Sequence, residues 1–179
     1  MNSAQRKKII YLASPYGFSK QQRERLLPIF VKCITDLGGD VWEPFQRNNQ
    51  VDFSVSDWAY TVGQADKADI EQADGIFAII NGQPPDEGVM IELGMAIALK
   101  KPVFLFRDDF RKCTDSENYP LNLMIFSGLP RTNWRDYMFA SIEEMCDNNS
   151  TIRKYLAASH PLDSLQTRAG AGSVDYIGK

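Results

Sequence analysis

Short apolar segments alternate with amphipathic ones along the first two thirds of the chain. Four apolar runs predict β-strands. They are residues 8–15, 40–45, 75–80 and 102–106. Apolar residues recur at helical spacing in the segments between them, which predict α-helices. These segments are residues 21–39, 58–73 and 87–99. Because the strand runs are apolar throughout, they predict a parallel sheet covered by helices on both faces.

The expected fold is therefore a doubly wound, flavodoxin-like or Rossmann-like α/β sheet of about five strands. Residues 121–128 predict a short apolar helix or strand, and 141–158 predict a closing helix. A single domain would span residues 1–158. The small-residue composition of 159–179 predicts a flexible C-terminal tail. In such sheets ligands bind beyond the carboxyl ends of the strands, where this chain is rich in polar and aromatic residues.

The overall composition excludes several classes of protein. The chain has 179 residues, with 20 basic and 23 acidic ones mixed along it, and a formal net charge of −3. That balance gives no basic surface for a nucleic-acid polymer. No apolar run reaches the roughly 20 residues needed to span a bilayer. We therefore expect a cytoplasmic protein without a membrane or nucleic-acid partner.

Cysteine, histidine and glycine usage limits the chemistry. Cys33, Cys113 and Cys146 are far apart and odd in number, which favours reduced thiols that serve packing. The chain has one histidine, His160, which argues against a catalytic Ser–His or Cys–His pair and against a histidine-rich metal site. Neither G-x-G-x-x-G nor the P-loop pattern occurs. Any catalysis must then rely on carboxylates and hydroxyls.

A carboxylate near the start of an apolar helix is the main candidate. In "PPDEGVMIELGMAIALKK", Asp86 can cap the helix and Glu92 lies one to two turns further on, near the strand ends. The positive helix terminus would favour its ionised form, while apolar neighbours would exclude water. A poorly solvated carboxylate is a good nucleophile. The alternative is that Glu92 points outward as an ordinary solvated helix residue.

Other candidate residues also have structural interpretations. Asp69, in "DIEQAD", can be a charge on a helix surface, and Tyr11, in the first strand, can be a core residue. The aromatic residues Tyr16, Phe18 and Trp58 can simply pack. The patterns alone leave both interpretations open.

Four motifs taken together resemble the nucleoside 2-deoxyribosyltransferase family over residues 8–158. They are "IIYLASPYGF", "DIEQADGIFAII", "PPDEGVMIELGMAIALKKPVFLF" and "YPLNLMIFSGLP". The resemblance implies that Glu92 is the nucleophile, that Asp86 binds and protonates the base, and that Asp69 is a further base-binding acid. Tyr11 would orient the nucleophile by hydrogen bonding.

The same resemblance implies a set of substrate-binding residues. Asn122 would reach the sugar hydroxyl in a neighbouring subunit's site, with Met124 beside it. Gln50 would contact the base, and the remaining members would form an aromatic lining. These are Tyr16, Phe18 and Trp58. The implied assembly is a homo-oligomer, dimer-based and up to a hexamer.

The implied reaction is base exchange on 2'-deoxyribonucleosides, with free purine or pyrimidine bases as acceptors and no metal or cofactor. Cleavage of the C–N bond passes through an oxocarbenium-like state that a carboxylate can stabilise and capture. Two successive inversions retain the configuration. The alternatives are a related deoxynucleotide N-hydrolase, in which water accepts the sugar, and a non-catalytic nucleotide-sensing module on the same scaffold.

Overall fold

A five-stranded parallel sheet forms the centre of the molecule. The computed structural model describes residues 6–112, 114 and 116–159. Its strands are β1 (Ile9–Ala13), β2 (Asp40–Trp42), β3 (Gly75–Ile79), β4 (Val103–Phe106) and β5 (Met138–Phe139). They pair in parallel in the order β2-β1-β3-β4-β5. The predicted doubly wound α/β fold is confirmed.

Seven α-helices cover the sheet within the described residues. They are α1 (Lys20–Arg25), α2 (Leu27–Asp36), α3 (Pro44–Arg47), α4 (Trp58–Gln72), α5 (Glu87–Ala98), α6 (Ile142–Cys146) and α7 (Thr151–Ala157). Three 3-10 helices supplement them, at Pro15–Phe18, Leu123–Gly128 and Trp134–Tyr137. No described helix has the length and apolar character needed to cross a bilayer. The cytoplasmic location stays a prediction.

Successive strand residues contribute to two separate cores, one on each face of the sheet. In β3, Ile76 and Ala78 pack with the residues of α4 and α5, whereas Phe77 and Ile79 pack with those of α2, α6 and α7. All four side chains are fully buried. Alternation of side chains along a strand that is buried on both faces explains why the strand segments are apolar at every position.

Prolines and long-range pairing account for the differences from the predicted elements. The predicted helix 21–39 is divided at Leu26, because Pro28 has no N–H and its ring would clash with the preceding turn. The predicted strand 40–45 ends at Trp42, where Glu43 caps α3. The predicted closing helix 141–158 is two helices, α6 and α7. Strand β5 has two residues, too few for a hydrophobic pattern.

The expectation that the cysteines are free thiols is wrong for two of them. Cys33 on α2 and Cys146 on α6 form a disulfide, with Cα atoms 5.7 Å apart and a sequence separation of 113. The two helices pack on the same face of the sheet. Cys113 and the predicted tail beyond Ser159, including His160, lie outside the described residues.

Candidate active site

Tyr11 and Glu92 meet directly beneath the carboxyl edge of the sheet. Tyr11 lies in β1, in register with Trp42 of β2 and Ile76 of β3, and its side chain is fully buried. Its hydroxyl donates a hydrogen bond of 2.6 Å to Oε1 of Glu92, which projects from α5. The partly buried Glu92 is therefore held by the sheet and does not point into open solvent.

The surroundings of Glu92 bring the pKa of its carboxyl group close to neutral pH. The pKa of Glu92 is raised from 4.5 to about 7, mainly by burial, against a lowering by the hydrogen bond from Tyr11 and with a further raising by nearby acids. These acids are Asp66, Asp86 and Glu43. Burial, followed by the negative charge of Glu92, raises the pKa of Tyr11. Tyr11 therefore remains a hydrogen-bond donor, and Glu92 changes charge in the range of neutral pH.

Asp86 caps the helix that carries Glu92. Its Oδ1 accepts a hydrogen bond of 3.1 Å from the backbone N–H of Val89, and its backbone is non-helical. The predicted cap is confirmed. A cap of this kind satisfies one of the free N–H groups at the helix start. It also brings the Asp86 carboxylate to the same cavity as Glu92.

This cavity has a volume of about 980 Å³, at the upper end of the range for small-molecule sites. The predicted strand-end segments line it, with Ser14 and Phe18 after β1, residues 43–46, 48 and 49 after β2, and Asp86 at the start of α5. Aliphatic residues of α2 form another part of the wall, and Phe53 and Trp58 contribute aromatic rings that meet edge to face. Apolar walls therefore surround a few carboxylates.

Asp69 does not line the cavity, whereas Asp66, one turn earlier on α4, does. The Asp69 carboxylate, 7% exposed, receives two hydrogen bonds from the guanidinium of Arg47, which itself lies over the Trp42 ring. Asp66 lines the cavity instead, and Asn48 donates a 2.7 Å hydrogen bond to it. Burial raises the pKa of Asp66. Helical spacing puts residues 66 and 69 on one face, but does not reveal which one Arg47 neutralises.

Glu43 is a second carboxylate that the sequence patterns did not single out. It is 5% exposed, lines the cavity and caps α3 by accepting hydrogen bonds from the N–H groups of Phe45 and Gln46. Burial raises the pKa of Glu43, although these two bonds lower it. Its position directly before Pro44 is the signal that could have indicated an N-cap.

Two further predicted residues lie outside the cavity lining. Gln50 is exposed, and its amide bonds to the side chain of Asn49, while Gln46 lines the cavity. Tyr16 is 7% exposed and packs against Phe30, and its hydroxyl accepts a hydrogen bond from Asn81. In this structure Tyr16 is thus a core residue rather than part of the aromatic wall.

Asn122 and Met124 also lie away from this chain's cavity. Asn122 caps the 3-10 helix Leu123–Gly128 by accepting a hydrogen bond of 3.0 Å from the N–H of Met124. The Met124 side chain is 73% exposed. Neither residue lines the cavity that contains Glu92.

A second cavity, of about 870 Å³, lies beside β5 and is lined by Tyr119, Trp134 and Met138 among others. None of the predicted site residues lines it. Within the described residues, no group of three or more His, Cys, Asp or Glu side chains is arranged to hold a metal ion. The first cavity is lined by carboxylates, amides, basic side chains and aromatic rings, and the Tyr11 hydroxyl bonds one of these carboxylates.

Comparison with known proteins identifies the family. The model of the family described as nucleoside 2-deoxyribosyltransferase matches residues 10–124, well over half of the chain. The chain belongs to the nucleoside 2-deoxyribosyltransferase family. The matched region of this family member includes β1 from its second residue onward, β2 to β4 and Glu92, and ends before β5 and the closing helices.

Individual relatives agree with the family assignment. A nucleoside deoxyribosyltransferase of Limosilactobacillus fermentum is 30% identical over 135 residues, which are 70% of this chain and 77% of the relative. The solved structure of a 2-deoxyribosyltransferase from Bacillus psychrosaccharolyticus is 31% identical, with a TM-score of 0.56, covering 72% of this chain and 88% of that one.

A 2-desoxiribosyltransferase from Leishmania mexicana has a similar fold at lower identity. It is 24% identical, with a TM-score of 0.58, and the match covers 76% of this chain and 92% of that one. At this identity the likeness concerns the fold alone.

Proposed function

We propose that this family member exchanges the base of 2'-deoxyribonucleosides by a retaining double displacement, with Glu92 as the nucleophile. The observation that carries the proposal is the Tyr11–Glu92 hydrogen bond of 2.6 Å at the wall of a cavity large enough for a nucleoside. The nucleophile is held at the carboxyl edge of the parallel sheet, where ligands of such folds bind. Family membership supports the same reaction.

In the first step, Glu92 attacks C1 of the deoxyribose from the side opposite the base. The electron pair of the C–N bond leaves with the base, and a covalent glycosyl-enzyme forms. In the second step, a nitrogen of the incoming base displaces Glu92 from C1, and the base gives up its N–H proton to the cavity acid that protonated the departing base. The configuration is inverted twice and thus retained. Tyr11, whose hydroxyl bonds Oε1, orients the carboxylate and leaves Oε2 for the attack.

The departing base needs a proton, and two acids of the cavity can supply it. Asp86 lies at the start of α5 and Asp66 on α4, and both carboxylates line the cavity with Glu92. Burial raises the pKa of Asp66, which favours the protonated form of a general acid. Asp69 is held by Arg47, so we assign it to positioning of the α3 and α4 segments rather than to proton transfer.

The substrate pocket is proposed to hold the base between aromatic side chains. Phe18 and Trp58 line the cavity, with 78% and 39% of their surfaces exposed. Their apolar surface would exclude water from the glycosyl-enzyme and so favour an incoming base as acceptor. No metal or cofactor takes part in this scheme.

We further propose that the site is completed by a second copy of the chain. Helix α5 is apolar apart from two glutamates, and its exposed positions are Glu87, Gly88, Ile91, Gly94 and Ala98, with Ile91 65% exposed. Since a helix that is apolar around most of its circumference is usually buried, this exposed face is proposed to pack against another subunit. The adjacent 3-10 helix exposes Met124 beside Asn122. Asn122 would then reach the sugar of the partner's substrate in a dimer-based homo-oligomer.

The test is incubation of the purified protein with thymidine and adenine, without added metal, followed by chromatography. The expected products are deoxyadenosine and thymine. Glu92→Gln should fold and abolish the exchange, and mass spectrometry should detect a deoxyribosyl adduct on the wild-type protein alone. Release of free deoxyribose without exchange would identify a hydrolase instead. Absence of both reactions with every pair of bases would refute the proposal.

A further inference from the structure

The turn between β2 and α3 presents Phe45 to the cavity. Phe45 is partly buried, lines the same cavity as Glu92 and packs edge to face against Phe18, with ring centroids 5.1 Å apart and an interplanar angle of 88°. The two rings form an aromatic corner, which we define as Phe18 and Phe45. Neither strand periodicity nor the family motifs point to Phe45.

The backbone of Phe45 is fixed by the buried carboxylate of Glu43. Oε1 of Glu43 accepts a hydrogen bond of 3.1 Å from the N–H of Phe45, and Oε2 accepts one of 2.7 Å from the N–H of Gln46. Glu43 is itself 5% exposed. Because charge-assisted hydrogen bonds are stronger than neutral ones, this cap holds the turn in one conformation.

The ring of Phe45 is fixed by a glycine in the preceding loop. A Cβ atom at Gly17 would lie 1.8 Å from Cε2 and 1.9 Å from Cδ2 of Phe45, far inside contact distance. Gly17 is buried, so the ring packs directly on its backbone. Two constraints from different parts of the chain therefore hold one side chain at the cavity wall.

We propose that Phe45 is a substrate-contacting residue that sets base preference, by presenting a fixed aromatic surface to the heterocycle of the nucleoside. This inference rests on the proposed function. If Glu92 must reach C1, the base extends away from Glu92 along the cavity wall. A planar heterocycle gains by stacking on an aromatic ring, and a purine covers more of the ring than a pyrimidine does.

The experiment measures binding rather than turnover, so that it remains informative if no exchange occurs. Phe45→Leu is introduced into the Glu92→Gln background, and dissociation constants for deoxyadenosine and thymidine are measured by calorimetry. We expect the constant for deoxyadenosine to rise roughly tenfold, which corresponds to about 1.4 kcal/mol, and that for thymidine roughly threefold. Phe110→Leu is the control, since Phe110 is 93% exposed and lies outside the cavity lining.

A second perturbation tests the same ring from its other side. Gly17→Ala should displace the Phe45 ring and weaken deoxyadenosine binding roughly as much as Phe45→Leu does. In a Phe45→Ala background, however, Gly17→Ala should have no further effect, because the ring that it would clash with is gone. Circular dichroism identifies any variant that fails to fold, and the double variant removes the steric cause of such a failure.

Two results would overturn the inference. One is a dissociation constant for deoxyadenosine that does not change when Phe45→Leu is introduced into the Glu92→Gln protein and the variant is folded. The other is a loss of affinity on Gly17→Ala that is as large without the Phe45 ring as with it. If deoxyadenosine binds with the expected pattern but no base exchange is detected, the inference on Phe45 stands and the proposed reaction fails.

Discussion

Replacing Glu92 by glutamine should stabilise the folded protein at alkaline pH. Glu92 is ionised there inside a cavity wall that it shares with Asp66, Asp86 and Glu43. Glutamine has nearly the same shape, and its side-chain oxygen can still accept the hydrogen bond that Tyr11 donates to Glu92. The substitution thus removes the buried charge and little else.

The expected magnitude follows from the pKa of Glu92, which is raised from 4.5 to about 7, mainly by burial. The folded state therefore binds this proton more tightly than the unfolded state does. Below pH 4.5 Glu92 is protonated in both the folded and the unfolded state, so its ionisation costs the protein no stability. Between pH 4.5 and 7 the unfolded state ionises first, so the wild-type protein loses stability as pH rises. The gap of about 2.5 pH units, at about 1.36 kcal/mol each, gives roughly 3 kcal/mol above pH 7.

The assay is urea unfolding of wild type and Glu92→Gln at several pH values between 4.5 and 8.5. Protein concentration is kept constant because a homo-oligomer gains stability with concentration. We expect the two free energies of unfolding to coincide near pH 4.5 and Glu92→Gln to be more stable by roughly 3 kcal/mol at pH 8.5. Glu117→Gln, at an exposed loop position, is the matched control and should show no such divergence.

If the difference in free energy of unfolding between wild type and Glu92→Gln does not change over this pH range, burial does not raise the pKa of Glu92. A glutamine variant that is less stable than wild type at pH 8.5 would refute the reasoning outright. Residues that serve catalysis often reduce stability. A gain in stability on replacing Glu92 is therefore also what is expected of a functional residue.

Three other predictions concern the neighbours of Glu92 and the helix contacts. Tyr11→Phe removes a hydrogen bond to the charged form of Glu92, worth about 1.5–3 kcal/mol, and so raises the pKa of Glu92. The acid limb of the kcat/KM profile, expected near pH 7 in wild type, should therefore move up by roughly 1–2 pH units. Asp66→Asn should lower kcat about a hundredfold or more, whereas Asp69→Asn should mainly lower thermal stability by leaving Arg47 unpaired; equal kinetic losses would contradict the assignment. Cys146→Ser removes the disulfide to Cys33, which has a sequence separation of 113, and should lower the free energy of unfolding by about 2–5 kcal/mol. Treatment of the wild-type protein with reductant is the control and should cause the same loss.

Much of the fold follows from local sequence patterns. Fully apolar strands predict a sheet covered on both faces, and β1, β3 and β4 occur where those runs lie. Asp86 before an apolar helix predicts a cap, and the cap is present. These features depend on residues within about one turn of each other, or on burial alone, so that a sequence records them directly.

Contacts between distant segments decided the remaining features of the site. Asp66 and Asp69 are equivalent by helical spacing, and only the approach of Arg47 from α3 separates the cavity acid from the paired one. The bond between Cys33 and Cys146 depends on two helices meeting on one face of the sheet.

Glu92 shows the same division within one residue. The sequence by itself determined that a carboxylate lies near the start of an apolar helix, because helix periodicity and the Asp86 cap are local. The family motifs implied the hydrogen bond from Tyr11, 81 residues away, although no local pattern encodes it, and only the tertiary structure decided that Asp66 and Glu43 share its cavity. Its proton affinity depends on burial and on those distant charges, and no spacing along the chain encodes either.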